Sequence, residues 1–415
     1  NIADDDTTIT ATAGGFLAEA DFDFSAVNNP ELLAIPQAAA DGAGAYTNNG
    51  DVDVTATFGG IEITAATGIT LNNNAADWIH AEATAGFVNV NANAVLESEI
   101  LDGTHGGYSI QLDGTGALTI NAGAHLDADR ADDLTPGDIG LGSGTTATID
   151  GGIGTDDDGL TFRQATDVII GNADGGGFLN TPAAITFTTD RISALDQVDM
   201  LATDGIIDIS SPGVGGTAID AAFSNAVDPA IRITSNAGSI QFDDDGDVIS
   251  PTADGDIVVS ALGAISTTAA FTGDIKTLAG DGNIDFDATD TASDITFDGT
   301  GTITTTGTGD ITIDAGDTAA VDIDTNNSGV SLNSDDEVLI GSTRRSATVD
   351  ISGNVTADEL IDIDADANVT IDQDAVLLTD EPTAASGDIN IFSDAGTVAL
   401  NDTARIEAAP GDLDD

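Results

Sequence analysis

The chain has 415 residues, with 8 Lys plus Arg against 73 Asp plus Glu and a formal net charge of -65 at pH 7. That balance argues against nucleic acid and anionic lipid as partners, because both require clustered Lys and Arg to replace condensed counterions, and it makes cations the natural companions. Zero Cys removes disulfides and thiolate metal sites, while a hydrophobic fraction of 40% is too high for a disordered acidic tail and predicts a chain that folds.

The sequence opens at Asn1 with no Met, no basic segment and no signal-type apolar stretch. It therefore reads as a processed protein or a piece of something larger. No apolar run approaches the roughly 18 residues of a membrane-spanning helix. Residues 1–130 hold all three His (His80, His105, His125), the single Trp78 and both Tyr (Tyr46, Tyr108). They are expected to form irregular, β-rich N-terminal coils or a cap, with an inserted recognition module as the alternative. Few stretches have helical periodicity, and the best, Pro30 to Ala40 and Ala194 to Leu201, are short.

From 131 to 415 a regular β-solenoid array is expected. One phrase recurs along the whole chain: an apolar residue, a polar one, an apolar one, then Asp, Asn, Ser or Thr. Ile61-Glu62-Ile63-Thr64, Ile110-Gln111-Leu112-Asp113, Ile240-Gln241-Phe242-Asp243, Ile284-Asp285-Phe286-Asp287 and Ile311-Thr312-Ile313-Asp314 are instances. Alternation at period two predicts short strands with one face buried, and the repetition predicts one unit copied many times. Gly, Asp and Asn fill the gaps, as tight corners require. Strand cores recur at about 8 to 12 residues and phrases at about 16 to 20, a spacing that suits a parallel β-helix and also a string of Ig-like β-sandwiches. Side-chain size decides between them. Sandwich cores centre on bulky aromatics, which make up only 4% of this chain, whereas Ile, Val, Leu, Ala and an occasional Phe fill a narrow bore. The expected fold is all-β, an elongated right-handed parallel β-helix of about 19 residues per coil and about 100 Å in length, with tandem β-sandwiches as the alternative.

The run Gly255-Asp256-Ile257-Val258-Val259-Ser260-Ala261-Leu262-Gly263-Ala264-Ile265, continued through Gly273-Asp274-Ile275 and Asn283-Ile284-Asp285-Phe286, resembles the repeats of filamentous-haemagglutinin-like adhesins. The likeness covers residues 200 to 405 and, more loosely, the rest. It implies a right-handed parallel β-helix that is exported and displayed at the cell surface. Asn29-Pro30-Glu31-Leu32 departs from the Asn-Pro-Asn motif of that family's secretion domain.

Stacked coils place equivalent side chains above one another, so outward Asp285, Asp310 and Asp322 are expected to form ladders at about 5 Å, where unit charges repel by about 0.8 kcal/mol even in bulk water. Molar salt or bridging divalent cations would relieve that repulsion. Local Ca2+ candidates are Asp324, Asn326 and Ser328 with Asp335 at the twelfth position, spaced as in an EF-hand loop. Asp156 and Asp158 belong to an Asp triplet that follows a Gly-Gly-x-Gly turn, and Asp243 and Asp245 are the ends of another Asp triplet. The three His do not stand at metal-ligand spacing and are expected on loops or the surface. No nucleophile sits in a recognisable elbow, and the only basic pair is Arg344-Arg345.

These features predict no enzyme. They predict a secreted structural protein, a surface fibre, sheath or adhesin stalk, that polymerises with itself, is stabilised by salt or Ca2+, and contacts cell-surface polysaccharide. A surface-layer protein of tandem sandwiches and a carbohydrate-active β-helix enzyme are the alternatives.

Overall fold

A computed structural model describes residues 7–11, 17–18, 47–48, 61–65, 68–71, 74–75, 79–98, 108–128, 137–155, 165–171, 179–188, 191–211, 218–221, 229–244, 247–250, 255–278, 280–323, 330–380 and 387–408. These residues form strands, turns and bends with no helix among them, and every strand pairing between them is parallel. Parallel strands cannot come from β-hairpins, so each strand must be followed by a return path before its neighbour is laid down. Here the path is itself two more strands. The chain winds as a β-solenoid, which removes the antiparallel sandwich alternative.

Two compact units divide the chain, residues 1–203 and 204–415. In the second unit one coil reads as a strand at Ile257–Ala261, a second at Ile265–Thr267 and a third at Asp274–Thr277, each on its own face. The next coil repeats these at Ile284–Ala288, Ile295–Thr296 and Thr302–Thr304. The register places Ile257, Ile284, Ile311 and Val338 in one column, 27 residues apart at each step. In the first unit Ile79, Ile110, Ile139 and Val168 form the matching column, at steps of 31, 29 and 29. The coil is thus longer than the expected 19 residues. The recurring phrase marks every strand of a three-strand coil, so counting phrases undercounts the coil.

The bore is built by the alternation itself. Ile257–Ala261 and Ile284–Ala288 both alternate buried and half-buried positions from end to end. Ile, Val and Leu fill the columns, and Phe187, Phe242, Phe271, Phe286 and Phe297 are the largest side chains wholly inside. Ala194 to Leu201, expected as helix, is instead the end of one strand, Ile192–Ala194, and most of another, Gln197–Ala202. Val198, Met200 and Ala202 all face the bore there, so burial at period two overrode the helical tendency of Ala, Leu, Gln and Met. Pro30 to Ala40 lies outside the described residues. Three-strand coils already occur at Ile79–Ala83, Phe87–Val90 and Val95–Glu97, inside the stretch expected to be irregular.

One face of the first unit carries an external cover. Tyr108, Ile169 and Leu179 pack into a small buried cluster outside the bore. Asn180 holds the cover down: its backbone N–H and side-chain amide donate to the Asp113 carboxylate at 3.1, 3.0 and 2.9 Å. Gly140 makes room for it, since a Cβ there would stand 2.9 Å from the Tyr108 ring.

Candidate functional site: carboxylate columns along the coils

The acids are the chemistry of this chain, and the register determines what they meet. Where a strand of the first face begins, an Asx residue of each coil accepts the N–H of its counterpart in the next. Asp256 Oδ1 accepts from Asn283 N at 2.7 Å, Asn283 Oδ1 from Asp310 N at 2.8 Å, and Asp310 Oδ1 from Glu337 N at 3.2 Å. The other faces repeat the device, with Asp247 accepting from Asp274 N at 2.6 Å and Asp294 from Ala320 N at 2.7 Å. In the first unit Asp138 accepts from Asp167 N at 3.3 Å and Asp167 from Gln197 N at 3.0 Å. Short acceptors suit this position because their oxygen reaches one strand spacing, 4.8 Å or so, without displacing the backbone.

A second device sets a hydroxyl above an acid. Thr302 donates to Asp274, Thr188 to Asp150, Thr268 to Asp243, Thr308 to Asp281 and Thr403 to Asp374. Asp285, expected within a run of acids, stands between Val258 and Thr312 in register. Burial nevertheless raises its pKa, opposed by the Thr312 hydrogen bond and reinforced by Asp256 and Asp314. Asp310 belongs to the Asx column. Its next neighbour in that column is Glu337, and burial together with the charges of Asp336, Asp285 and Glu359 raises its pKa. Asp322 faces Asp350 directly, with Thr296 below the pair and Thr370 above it.

Another in-register acid pair, Asp287 and Asp314, is met by the only basic dipeptide. The first-face column runs Asp287, Asp314, Gly341, Asp364, Phe392. At Gly341, φ is +73° and the backbone leaves the column in a left-handed turn that a side chain would strain. The loop that follows carries Arg344, ion-paired with Asp287, while the N–H groups of Thr343 and Arg344 donate to Asp314 Oδ1 at 3.2 and 3.3 Å. Arg345 reaches Asp364 at 3.8 Å and lies 4.8 Å over the Phe392 ring. Arg344→Ala should lower stability by about 1 kcal/mol, discounted for partial exposure. Denaturation in low salt would show this loss, and molar NaCl should restore most of it.

A cation has one candidate position among the described residues. Asp336, Glu337 and Glu359 each offer a carboxylate oxygen, all within 4.8 Å of one another. Glu359 N donates to Asp336 O at 2.9 Å, which brings the two side chains together across adjacent coils. Burial and the charges of Asp310, Asp336, Glu359 and Asp362 raise the pKa of Glu337. Hard carboxylate oxygens of this kind suit Ca2+, which completes its shell with carbonyls and water. Composition and spacing did not reveal this cluster, because its members come from two coils and meet only through register.

Of the sequence-derived candidates, Asp324, Asn326, Ser328, Asp156, Asp158 and Asp245 lie outside the described residues. Asp335 is exposed and accepts from Gly307 N at 3.0 Å. The segment 324–329 is flanked by the strands Ala320–Ile323 and Ser331–Ser334, where an EF-hand has helices. Asp243 accepts from Thr268 and from Asp244 N. His80 and His125 are strand residues, contrary to the expectation of loops or surface: His80 is buried with Nε2 3.1 Å from Tyr108 O, and His125 Nδ1 lies 3.0 Å from Thr155 Oγ1. His105 lies outside the described residues. On the third face Lys276 pairs with Asp274 at 2.8 Å. Burial opposes ionisation of Asp274, but hydrogen bonds from Lys276 and Thr302, with the Lys276 charge, hold its pKa below the ordinary value.

No helix among the described residues is long and apolar enough to cross a membrane. Comparison with protein-family models, curated proteins and solved structures finds no match for the chain, so its likeness to other repeat proteins is one of β-solenoid architecture.

Proposed function

We propose that this chain is a non-enzymatic structural protein of an extracellular surface, a fibre, sheath or adhesin stalk, that assembles with itself and relies on salt or Ca2+ to neutralise its acidic flanks. The observation that carries this reading is the use made of the acids: carboxylate after carboxylate is an acceptor for the next coil. A chemistry that elsewhere serves catalysis or recognition is used here to lock coil upon coil. Such a solenoid extends by adding coils and presents broad polar faces, which suits a scaffold or stalk that meets cell-surface polysaccharide.

Two measurements test it. Small-angle scattering and negative-stain images in molar NaCl should show rods or filaments, and globular particles would defeat the reading. A melting series should show a higher Tm with millimolar CaCl2 than with EDTA at low ionic strength, an increment that shrinks in Glu337→Gln/Glu359→Gln. A melting temperature indifferent to NaCl, CaCl2 and EDTA alike would remove the cation from the proposal.

A further inference from the structure

We infer that the third face of the 204–415 unit, from Thr302 to Leu378, is a docking surface for an uncharged polysaccharide. This deepens the structural reading above and rests on it. The face is built from Thr302–Thr304, Ser331–Ser334, Asn354–Ala357 and Val376–Thr379, stacked in parallel. Ile303, Leu332, Val355 and Leu377 point into the bore and are 0% exposed. Alternation therefore turns the residues on either side of them outward.

Charge is sorted between the faces of these coils. The first face carries Asp285 and Asp287, Asp314, then Asp362 and Asp364, and the second carries Asp322 and Asp350. The third turns out Thr302 and Thr304, Ser331 and Asn333, then Asn354 and Thr356, with no charged side chain among them. In the coil before them Lys276 neutralises Asp274, which stands in register with Thr302. The acids that follow these strands, Asp335, Asp336, Asp358 and Glu359, stand at the next corner. With a net charge of -65 on the chain, an anionic polymer is repelled, whereas a neutral one meets no rank of carboxylates on this face.

The hydrogen-bonding groups of this face are also left open. Elsewhere hydroxyls and Asx side chains bond to the neighbouring coil, as Thr268 does to Asp243 and Asn283 Oδ1 to Asp310 N. Here the side chains of Thr304, Ser331, Asn333, Asn354 and Thr356 have no hydrogen-bond partner among the described residues. Their hydroxyl and amide groups both donate and accept, as sugar hydroxyls do. Thr304, Asn333 and Thr356 share one column, so an extended polymer crossing the coils meets the same kind of group about every 4.8 Å. Val376 and Leu378, half-buried, continue the columns above Asn354 and Thr356. They form an aliphatic shelf against which the C–H face of a sugar ring loses its water. Open donors and acceptors beside an apolar shelf, with no ion partner, suit a neutral saccharide.

Pull-down of the 1–415 chain with insoluble cellulose, chitin and cross-linked dextran tests this. At least one of these neutral matrices should deplete the protein from solution, and the bound fraction should change less than about twofold between low and molar NaCl, because no ion pair is made. At low salt, carboxymethyl substitution of the binding matrix should reduce retention at least tenfold. Ser331→Asp/Asn354→Asp should weaken binding at least tenfold while the far-UV CD spectrum and Tm stay unchanged. Thr348→Asp, which adds charge to the second face, should leave binding as it was. Asn354→Asp alone, at the exposed position, serves if the double variant fails to fold. Failure to bind all three matrices overturns the inference, and so does binding unaltered by the third-face substitutions. If those substitutions lower self-association with no polysaccharide present, the face belongs to a second copy and the inference falls. A chain that scatters as rods yet binds no matrix would sink this surface while leaving the structural role intact.

Discussion

Replacing Phe286 with Ala is expected to lower the stability of the 204–415 unit by about 3–5 kcal/mol, the cost of deleting a buried aromatic and leaving a cavity behind. Phe286 is 1% exposed, stacks between Val259 and Ile313 in its column, and meets Phe297 edge-to-face with ring centroids 4.9 Å apart. A bore lined by hydrogen-bonded strands on three faces cannot collapse around the void without breaking ladder bonds, so relaxation recovers little. Guanidinium unfolding followed by far-UV CD measures the loss. Phe286→Leu, which keeps most of the volume, should cost less than about 1.5 kcal/mol. A loss below about 1 kcal/mol for the Ala variant would mean that the columns are not packed as described. Because each coil touches only its neighbours, the damage should stay local, and a separate early transition is expected in place of one lowered midpoint.

The architecture was legible because period-two burial is a local property. Ile284-Asp285-Phe286-Asp287 needs no partner to announce a strand with one apolar face, and scarcity of large aromatics pointed away from sandwiches. The coil length was not legible. All three strands of a coil use the same phrase, so nothing in Ile295-Thr296-Phe297 distinguishes a second-face strand from the first-face Ile284-Asp285-Phe286, and only register shows that 27 residues separate equivalent positions. The helical reading of Ala194 to Leu201 failed for a related reason: Ala, Leu and Gln favour helix in isolation, but a place in the bore column of Val168 and Ile170 takes precedence.

The candidate site was legible in kind and not in detail. Abundant Asp beside abundant Thr could be read as charge needing outside neutralisation. Register shows that much of the neutralisation is internal, by Asn283 between Asp256 and Asp310, by Thr312 above Asp285, and by Arg344 against Asp287. These pairings span one coil or, for Arg344 and Asp287, two in sequence, so spacing rules tuned to loops and helices pass over them. Acids still meet acids at Asp322 with Asp350, at Asp336 with Glu337 and Glu359, and at Asp138 with Asp167.

That last pair gives the strongest pH dependence. Burial pushes Asp167 up to about 7, helped by the charges of Asp138, Asp196 and Asp199, and burial pushes Asp138 up to about 6. Both values exceed the ordinary carboxylate value of 3.8, so the folded state binds more protons than the unfolded chain between about pH 4 and pH 7. Stability from this pair is therefore full below about pH 4 and is lost as pH rises through 6 and 7. Asp167→Asn keeps the Oδ1 acceptor for Gln197 N while removing the charge. It should stabilise the 1–203 unit by about 1–2 kcal/mol at pH 8, a figure reduced from the full shift for partial solvent screening, and should have little effect at pH 4. The difference between the denaturation midpoints of the variant and the unmodified chain, followed from pH 4 to pH 8, isolates this pair from the many other acids. A difference that does not change with pH, or a variant less stable at pH 8, would show that the column tolerates two ionised carboxylates and that the hydrogen bonds from Asp167 N and Gln197 N suffice to hold them.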